Sequence, residues 1–222
     1  MKAQRLIGKQ KLQEACDYAK EQAIKEFEKN LEVCGVFERY RNCNFDNIEE
    51  CGIPDIHKEN FRVAKEYAKQ LEKHMKDGTG LILRGPCGTL KTSIAVAILQ
   101  ELIATNRRGF FVGMPSLLDT IFTLTKKNTE EWVNFENKLR NTQLLVIDDL
   151  GAEYQNGWVL NKVDAIVSER YNRCRATIIT TNMTSEQMKS TYAERVIDRL
   201  RSTCDILTFI GQSLRGTEFK AS

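Results

Sequence analysis

The sequence lacks several features that would assign it to a special class of protein. It has only three prolines among 222 residues, which argues against long disordered linkers. No apolar run approaches the roughly 18 residues of a transmembrane helix, and the first residues carry no apolar segment of the secretory type. We therefore expect a cytoplasmic protein without a membrane segment, in which disorder is confined to the chain ends.

Neither the charge balance nor the cysteine spacing points to a ligand. The 33 basic and 30 acidic residues give a formal net charge of +3, so any contact with nucleic acid has to come from a local patch. The seven cysteines are an odd number and form no C-x-x-C pair, which disfavours a disulfide framework and a zinc site. We expect them to be reduced thiols.

The spacing of apolar residues predicts one α/β domain with a helical extension before it. A stripe at three- and four-residue intervals predicts an amphipathic helix over about 11–32, which either packs on the domain or docks a partner protein. We place the domain boundary after residue 36, with the extension at 1–36 and the α/β domain at 37–222. Strand-like apolar runs recur between helical patterns at 81–83, 110–112, 144–147, 177–180 and 206–210. This alternation predicts a five-stranded parallel sheet with helices on both faces.

Two local signals predict where helices begin and end inside this domain. Pro54 precedes a helix of about 58–76, which stops at Asp77-Gly78 because glycine readily adopts the left-handed backbone that ends helices. The segment Thr184-Ser185-Glu186-Gln187 has the spacing of a capping box. Both signals concern structure and imply no function.

The residues after the first predicted strand have the composition of a phosphate-binding loop. Such a loop needs glycines that turn backbone N–H groups inward, a lysine for the β- and γ-phosphates and a hydroxyl for Mg²⁺. These parts occur in the run Gly85, Pro86, Cys87, Gly88, Thr89, Leu90, Lys91, Thr92 and Ser93.

The loop departs from the usual pattern G-x-x-x-x-G-K-[ST] at one position. Leu90 stands where the glycine before the lysine is expected. A side chain there would crowd the phosphates, or strain the backbone if that position needs a positive φ. Two alternatives stay open, an ordinary strand-to-helix turn and a decayed site that no longer binds nucleotide.

An acidic pair ends the apolar run 144–147. Asp148 is placed to hold Mg²⁺ through water, and Asp149 is placed to orient or deprotonate the attacking water. The alternative is that two adjacent acids begin a solvated loop. Because the pair lies beyond a phosphate loop in an alternating α/β pattern, we favour the metal-binding interpretation.

Two later segments are further candidates for the same site. Asn182 follows the strand 177–180, where an amide would position the lytic water or contact the γ-phosphate; the alternative is an asparagine that caps a helix. The segment 194–201 predicts a helix with arginines four residues apart. Such a helix is either a salt-bridged surface or the source of an arginine that serves a neighbouring subunit's γ-phosphate.

The order of these motifs resembles the AAA+ ATPases of the bacterial and phage helicase-loader group, the DnaC and DnaI type, and the related IstB transposition ATPases. The resemblance covers about 37–216. Its most specific part is the block Asp148-Asp149-Leu150-Gly151-Ala152-Glu153. The segment Tyr40-Arg41-Asn42 followed by Phe45-Asp46 is similar to the stretch that precedes the ATPase core in these loaders.

The resemblance implies ATP hydrolysis with ATP and Mg²⁺ as cofactors, and it implies a role for each candidate residue. These roles are the Walker A pair for Lys91 and Thr92, Mg²⁺ binding for Thr92 and Asp148, the catalytic carboxylate for Asp149, sensor 1 for Asn182, the arginine finger in trans for Arg199 with Arg195 as its rival, and sensor 2 for Arg215.

The resemblance also implies partners. In the family, ATP-bound subunits assemble through the ATP site, contact single-stranded DNA and load a hexameric replicative DNA helicase that the N-terminal region grips. Two alternatives stay open: an IstB-like transposition helper, and a nucleotide-gated adaptor with little hydrolysis, which Leu90 motivates. The candidates for DNA contact are basic residues such as Arg107, Arg108, Lys126 and Lys127, and the sequence shows no aromatic stacking platform.

Overall fold

A parallel five-stranded sheet forms the centre of the molecule. The computed structural model describes residues 2–127, 129–151 and 157–215, with side chains from residue 15 onward except those of 124–129. The strands are β1 (Gly80–Arg84), β2 (Phe110–Gly113), β3 (Leu144–Leu150), β4 (Ala176–Thr181) and β5 (Cys204–Thr208). Their order across the sheet is β2-β3-β4-β1-β5, and neighbouring strands are parallel. The predicted fold class is confirmed.

The inner strands are buried almost throughout, which explains why the sequence shows continuous apolar runs there instead of alternation. The edge strand β5 differs, because Asp205, Ile206 and Thr208 are exposed. It begins at Cys204, two residues before the predicted run 206–210. An exposed acid near its start interrupts the apolar run on which that prediction depended.

Helices cover both faces of the sheet, as predicted. One buried cluster packs the end of the first helix and the next four helices against the sheet, and a second cluster packs the remaining helices on the opposite face. The helices are α1 (Lys2–Val33), α2 (Phe45–Glu50), α3 (Asp55–Lys69), α4 (Leu71–Asp77), α5 (Lys91–Ala104), α6 (Met114–Lys127), α7 (Thr129–Asn141), α8 (Gly157–Asn172), α9 (Ser185–Thr191) and α10 (Glu194–Thr203).

The local helix signals are partly confirmed. The predicted helix 58–76 is divided into α3 and α4, because the backbone of Gln70 leaves the helical region at φ −106° and ψ 21°. The second of these helices ends at Gly78 in the left-handed conformation, as predicted. The capping box is present: Gln187 N–H donates to the Thr184 hydroxyl, and the Gln187 side chain accepts from Thr184 N–H.

The first helix is longer than predicted and is attached to the domain by its end. α1 has 32 residues, and the side chains from 15 to 26 are exposed, whereas Leu31 is 1% exposed. The chain then turns, and Cys34 accepts a hydrogen bond of 2.7 Å from the N–H of Phe111 on β2. Among the described residues no helix has the length and apolar character to cross a membrane.

A buried arginine joins three elements at the amino-terminal end of β4. Arg170 on α8 is 1% exposed. Its guanidinium donates to the carbonyl oxygens of Leu139, Thr142 and Ala176 at 2.8, 2.9 and 2.5 Å, and to the Thr177 hydroxyl at 2.9 Å. Burial lowers the pKa of this group to about 9. Its hydrogen bonds fix α7, α8 and β4 relative to one another.

Candidate nucleotide-binding site

The loop between β1 and α5 has a backbone suited to holding phosphate. Gly85 and Gly88 have positive φ, at 151° and 75°. Both must be glycine, because a Cβ atom at Gly85 would collide with the carbonyl oxygen of Phe209, and one at Gly88 would collide with the hydroxyl of Ser213. α5 begins at Lys91, so the positive end of its dipole and its free N–H groups face the loop.

Leu90 has the backbone conformation that glycine would provide. Its φ is 70° and its ψ is 0°, in the left-handed region, directly before α5. A residue with a Cβ atom pays roughly 1–2 kcal/mol there. The side chain is only 8% exposed and belongs to the core cluster. Of the two effects expected at this position, the backbone strain is therefore present, and the side chain packs into the core.

Two side chains of the loop bind a carbonyl of the loop itself. The ammonium of Lys91 donates to the Pro86 oxygen at 2.6 Å, and the Thr89 hydroxyl donates to the same oxygen at 2.8 Å. Lys91 is 5% exposed, and burial lowers its pKa. Cys87 projects from the same loop and is exposed. The lysine is thus held at the loop, where a bound phosphate would provide its counter-charge.

Asp148 lies at the buried end of β3 and faces the start of α5. Its side chain accepts a hydrogen bond of 2.6 Å from the Thr180 hydroxyl and a second from the Thr92 hydroxyl. The residue is 6% exposed. Burial raises the pKa of its carboxyl, the two hydroxyls oppose this shift, and the neighbouring Asp149 charge adds to it. A carboxylate in this state gains from binding a cation.

The strand is irregular where the two acids occur. The register of β3 against β4 shifts between Ile147 and Leu150, as in a β-bulge, which bends a strand and re-aims its side chains. Asp149 has a φ of 56°, a conformation that aspartate tolerates better than most residues. Its N–H donates to the Thr180 hydroxyl at 2.9 Å. The bulge thus brings Asp148 and Asp149 to the same end of the sheet.

Thr180 is a site residue that the sequence reasoning missed. It is fully buried, and its hydroxyl serves both acids, donating to Asp148 and accepting from Asp149 N–H. The next residue, Thr181, donates to the carbonyl oxygen of Leu150 at 2.6 Å. The signal was available, since two hydroxyls end a strand that is otherwise apolar.

Asn182 and Arg215 lie near the loop and the acids. Asn182 follows β4 directly and is exposed. The segment after β5 returns to the loop, where Leu214 N–H donates to the Gly88 oxygen at 2.9 Å. Next to it, Arg215 contributes to the low pKa of Lys91, after burial. Most of the predicted site residues thus lie at the carboxyl ends of the strands.

Tyr40, from the segment before the domain core, also faces this site. The side chain of Gln100 on α5 donates to the carbonyl oxygens of Arg41 and Tyr40, at 2.8 and 3.4 Å. The pKa of the Tyr40 phenol is raised by burial and by the Asp148 charge, and a hydrogen bond with Thr92 lowers it. In the sequence, this tyrosine is recognisable only as part of a family resemblance.

Some predicted residues lie elsewhere. The Ser93 hydroxyl hydrogen-bonds with the buried Cys43 thiol. Arg199 is bound to α8 through Ser168, on the face opposite the cluster that holds α5. Ala152 and Glu153, the end of the specific block, lie outside the described residues.

The donors at this site fit Mg²⁺ and a nucleoside triphosphate. Mg²⁺ prefers hard oxygen ligands, and in phosphate sites it needs only one or two carboxylates beside the substrate's oxygens. Thr92 and Asp148 supply a hydroxyl and a carboxylate that already contact each other. In the described part of the chain no three His, Cys, Asp or Glu side chains group as a metal cluster.

Comparisons with known proteins agree with this geometry. Residues 62–222 match the family model described as IstB-like ATP binding protein. The chain is 33% identical over 195 residues to the replicative helicase loader DnaC of Buchnera aphidicola subsp. Baizongia pistaciae (strain Bp), covering 83% of this chain and 76% of that protein.

Solved structures give the same result. A crystal structure of the DnaC helicase loader superposes with a TM-score of 0.70 and 25% identity, covering 78% of this chain and 99% of that one. A crystal structure of DnaI shares the fold, with a TM-score of 0.61 and 24% identity over 70% of this chain and 86% of that one. The chain therefore belongs to the IstB-like family of ATP-binding proteins and, within the AAA+ fold, to the group of the DnaC helicase loaders.

Proposed function

We propose that this protein is an ATP-dependent helicase loader that assembles on ATP, contacts single-stranded DNA and acts on a hexameric replicative DNA helicase. The observation that carries the proposal is the meeting of the glycine loop, the Thr92 hydroxyl and the Asp148 carboxylate at one sheet edge. This edge occurs in a chain that is 33% identical to a replicative helicase loader.

Nucleotide binding is assigned to the loop and the start of α5. The backbone N–H groups of residues 85–93 would hold the phosphates, and Lys91 would release the Pro86 oxygen to pair with the β- and γ-phosphates. Thr92 and Asp148 would hold Mg²⁺, which when bound neutralises phosphate charge.

Hydrolysis is assigned to three residues around the same edge. Asp149, whose backbone is fixed by the Thr180 hydroxyl, would orient the attacking water or take its proton. Asn182 would position that water as sensor 1. Arg215, beside the lysine, would stabilise charge on the phosphates as sensor 2. Their convergence on the loop supports these roles.

A neighbouring copy of the chain would complete the site. Arg199 contacts Asp164, Ser168 and Tyr171 of α8 within its own chain, and these contacts are compatible with a finger that serves an adjacent subunit. Arg195 on the same helix remains its rival. An arginine finger contributes about 10³–10⁵ in rate, so hydrolysis should depend on assembly.

An aromatic patch supports contact with single-stranded DNA. We use this name for Phe122, Trp132, Trp158 and Lys162, which come from α6, α7 and α8. The Phe122 and Trp158 rings lie 5.3 Å apart and are 42% and 38% exposed. Lys162 Nζ lies 5.0 and 5.8 Å from the centroids of the two tryptophans and 3.8 Å from Oε1 of Glu136, a longer ion-pair distance than that of Arg107. Exposed rings beside a cation suit stacked bases and a phosphate backbone.

The patch was invisible in the sequence because its members are separated along the chain. The basic residues suggested earlier are weaker candidates. Arg107 is paired with Glu72 at 3.0 Å, and the side chains of Lys126 and Lys127 lie outside the described residues. We therefore move the proposed DNA contact from isolated basic residues to the aromatic patch.

The helicase contact is assigned to α1. Its exposed length carries apolar side chains such as Tyr18 and Ile24, 65% and 59% exposed, whereas Phe27 and Leu31 near its end pack on the domain. A helix that leaves apolar side chains in solvent is suited to pack against a partner's helix or groove.

The enzyme assignment is tested by steady-state ATP hydrolysis with and without single-stranded DNA. Asp149→Asn should abolish hydrolysis while ATP binding persists. Arg199→Ala should lower turnover by about 100-fold or more with ATP affinity nearly unchanged. Wild-type turnover equal to that of Asp149→Asn, with ATP still bound, would favour the nucleotide-gated adaptor.

The DNA assignment has a direct optical test, because Trp132 and Trp158 are the two tryptophans of the chain. Oligo(dT) should quench their fluorescence. Trp158→Ala and Phe122→Ala should each weaken binding by about 10- to 100-fold, whereas Tyr18→Ala, an exposed aromatic on α1, should not. Equal binding by all variants would remove the patch from the proposal, and a preference for duplex DNA would favour the transposition helper.

The helicase assignment is tested by capture of the hexameric helicase from the same source. The full chain should retain it, and a chain lacking residues 1–26, which keeps the buried Leu31, Cys34 and Val36, should not, while both bind ATP equally. Retention of the helicase by the shortened chain would show that the contact lies in the ATPase domain.

A further inference from the structure

One carboxylate holds both of the arginines that compete for the finger role. Asp164 on α8 is 7% exposed, and α10 packs beside it. Arg195 binds its Oδ2 through Nε, at 2.7 Å, and through Nη2. The Nη1 of Arg199 lies 3.6 Å from Oδ1. The two oxygens of one side chain are thus divided between two arginines four residues apart.

A serine completes the arrangement. The Ser168 hydroxyl donates to Oδ1 of Asp164 at 2.9 Å and accepts from Nη1 of Arg199. The Arg199 guanidinium also lies 5.8 Å from the Tyr171 ring centroid. Charge, hydroxyl and ring together leave the Arg199 side chain little rotational freedom.

The two helices also pack through apolar side chains. Apolar residues of α8 and α10, including Val163, Val167, Val196 and Leu200, already belong to one buried cluster. The arginines remain accessible, with side chains 65% exposed at Arg195 and 28% at Arg199. Asp164 is buried whereas both arginines are accessible, so these ion pairs fix the direction in which two accessible cations point.

We propose that Asp164 is a positioning residue, which aligns the arginine pair for the γ-phosphate of ATP bound by an adjacent copy of the chain. Holding a charged side chain in its working orientation before assembly removes an entropy cost from the catalytic complex. This inference rests on the proposed function, because it requires hydrolysis in trans.

The first experiment compares Asp164→Asn with a matched control. Asparagine keeps the size of the side chain but removes the charge, so kcat should fall by about 10- to 100-fold while KM for ATP stays within about twofold. Asp164→Glu should recover part of the loss. Glu169→Gln, which removes a carboxylate of the same helix that pairs with Arg173, should leave kcat unchanged.

A mixing experiment separates positioning in trans from a loss of folding. Asp164→Asn subunits keep an intact nucleotide site, and Asp149→Asn subunits keep an intact arginine pair. Each alone should be nearly inactive. A one-to-one mixture should recover activity at about a quarter of its interfaces, as random pairing in a head-to-tail assembly predicts.

The outcomes distinguish this inference from the function on which it rests. If Arg195→Ala and Arg199→Ala both leave turnover unchanged, the finger in trans fails, and this inference fails with it. If either arginine variant is inactive while Asp164→Asn turns over normally, only the role of Asp164 is overturned. A mixture that recovers nothing, from subunits that unfold at the wild-type temperature, also overturns it.

Discussion

The hydroxyl of Thr180 on β4 donates a hydrogen bond of 2.6 Å to the carboxylate of Asp148 at the end of β3. The same oxygen accepts the N–H of Asp149 at 2.9 Å. One buried hydroxyl therefore fixes the side chain of one acid and the backbone of the next. Mutation of a group that orients a metal ligand typically lowers metal affinity by about 10- to 100-fold.

Thr180→Val tests this relationship. Valine keeps the shape of threonine and removes the hydroxyl, so the Mg²⁺ concentration needed for half-maximal ATP hydrolysis should rise by about 10- to 100-fold. Thr180→Ser restores the hydroxyl and should remain close to wild type. A magnesium titration of each variant measures the effect, and equal midpoints for valine and threonine would contradict it.

Asp148→Asn should stabilise the nucleotide-free protein at neutral pH while abolishing Mg²⁺-dependent hydrolysis. Burial raises the pKa of Asp148 in the folded state above its ordinary value of 3.8. Wild-type stability therefore falls as pH rises from that value through the folded-state pKa, and the asparagine variant escapes this loss. Below the ordinary pKa both side chains are neutral, so the difference should vanish.

Urea unfolding of both proteins across this pH range measures the difference. Its pH dependence is the decisive feature, because it distinguishes the ionisation of Asp148 from a change in packing. If asparagine is more stabilising by the same amount at every pH, or gives no added stability at pH 7, the raised pKa of Asp148 is contradicted. Gain of stability with loss of activity is a common property of functional sites.

Leu90→Gly should be more stable than Leu90→Ala, although glycine is the smaller residue. Both variants lose a buried side chain, which costs about 2–5 kcal/mol. Only glycine is free of the penalty at a φ of 70°, which should favour it over alanine by about 1 kcal/mol. Urea unfolding gives both values. The reverse order would show that the left-handed conformation at this position is not strained.

Arg170→Met should lower the free energy of unfolding by about 3–5 kcal/mol, because three carbonyl oxygens lose their donor, two of them in fully buried contacts. Arg170→Lys should recover only part of this, since one ammonium cannot match a planar guanidinium with several acceptors. Arg173→Met is the control: this arginine directly follows α8, forms an exposed ion pair with Glu169 and should change the free energy of unfolding by less than about 0.5 kcal/mol. A free energy of unfolding for Arg170→Met equal to that of the wild type would contradict this role.

The sequence was sufficient for the fold because the buried strands are continuous apolar runs and the helices are periodic. The sequence also predicted that the loop and Asp148 lie at one edge, since the carboxyl ends of parallel strands share an edge. It could not reveal the division at Gln70, where no proline or glycine marks the break, or the early start of β5.

The contacts between distant segments were beyond sequence reasoning. Thr180 and Asp148 are 32 positions apart, and Arg195 is 31 positions from Asp164. Periodicity describes neighbours along one element and carries no information on which side chains meet across two elements. The aromatic patch escaped for the same reason, since three helices contribute to it.

The length of α1 has a mechanical consequence. With 32 residues the helix extends about 48 Å, and it is attached to the ATP-binding domain at one end. A rotation of that domain by about 10° would carry the far end through about 8 Å, if the helix stays rigid. Small rearrangements around a nucleotide would then move the far end of the helix by a large distance.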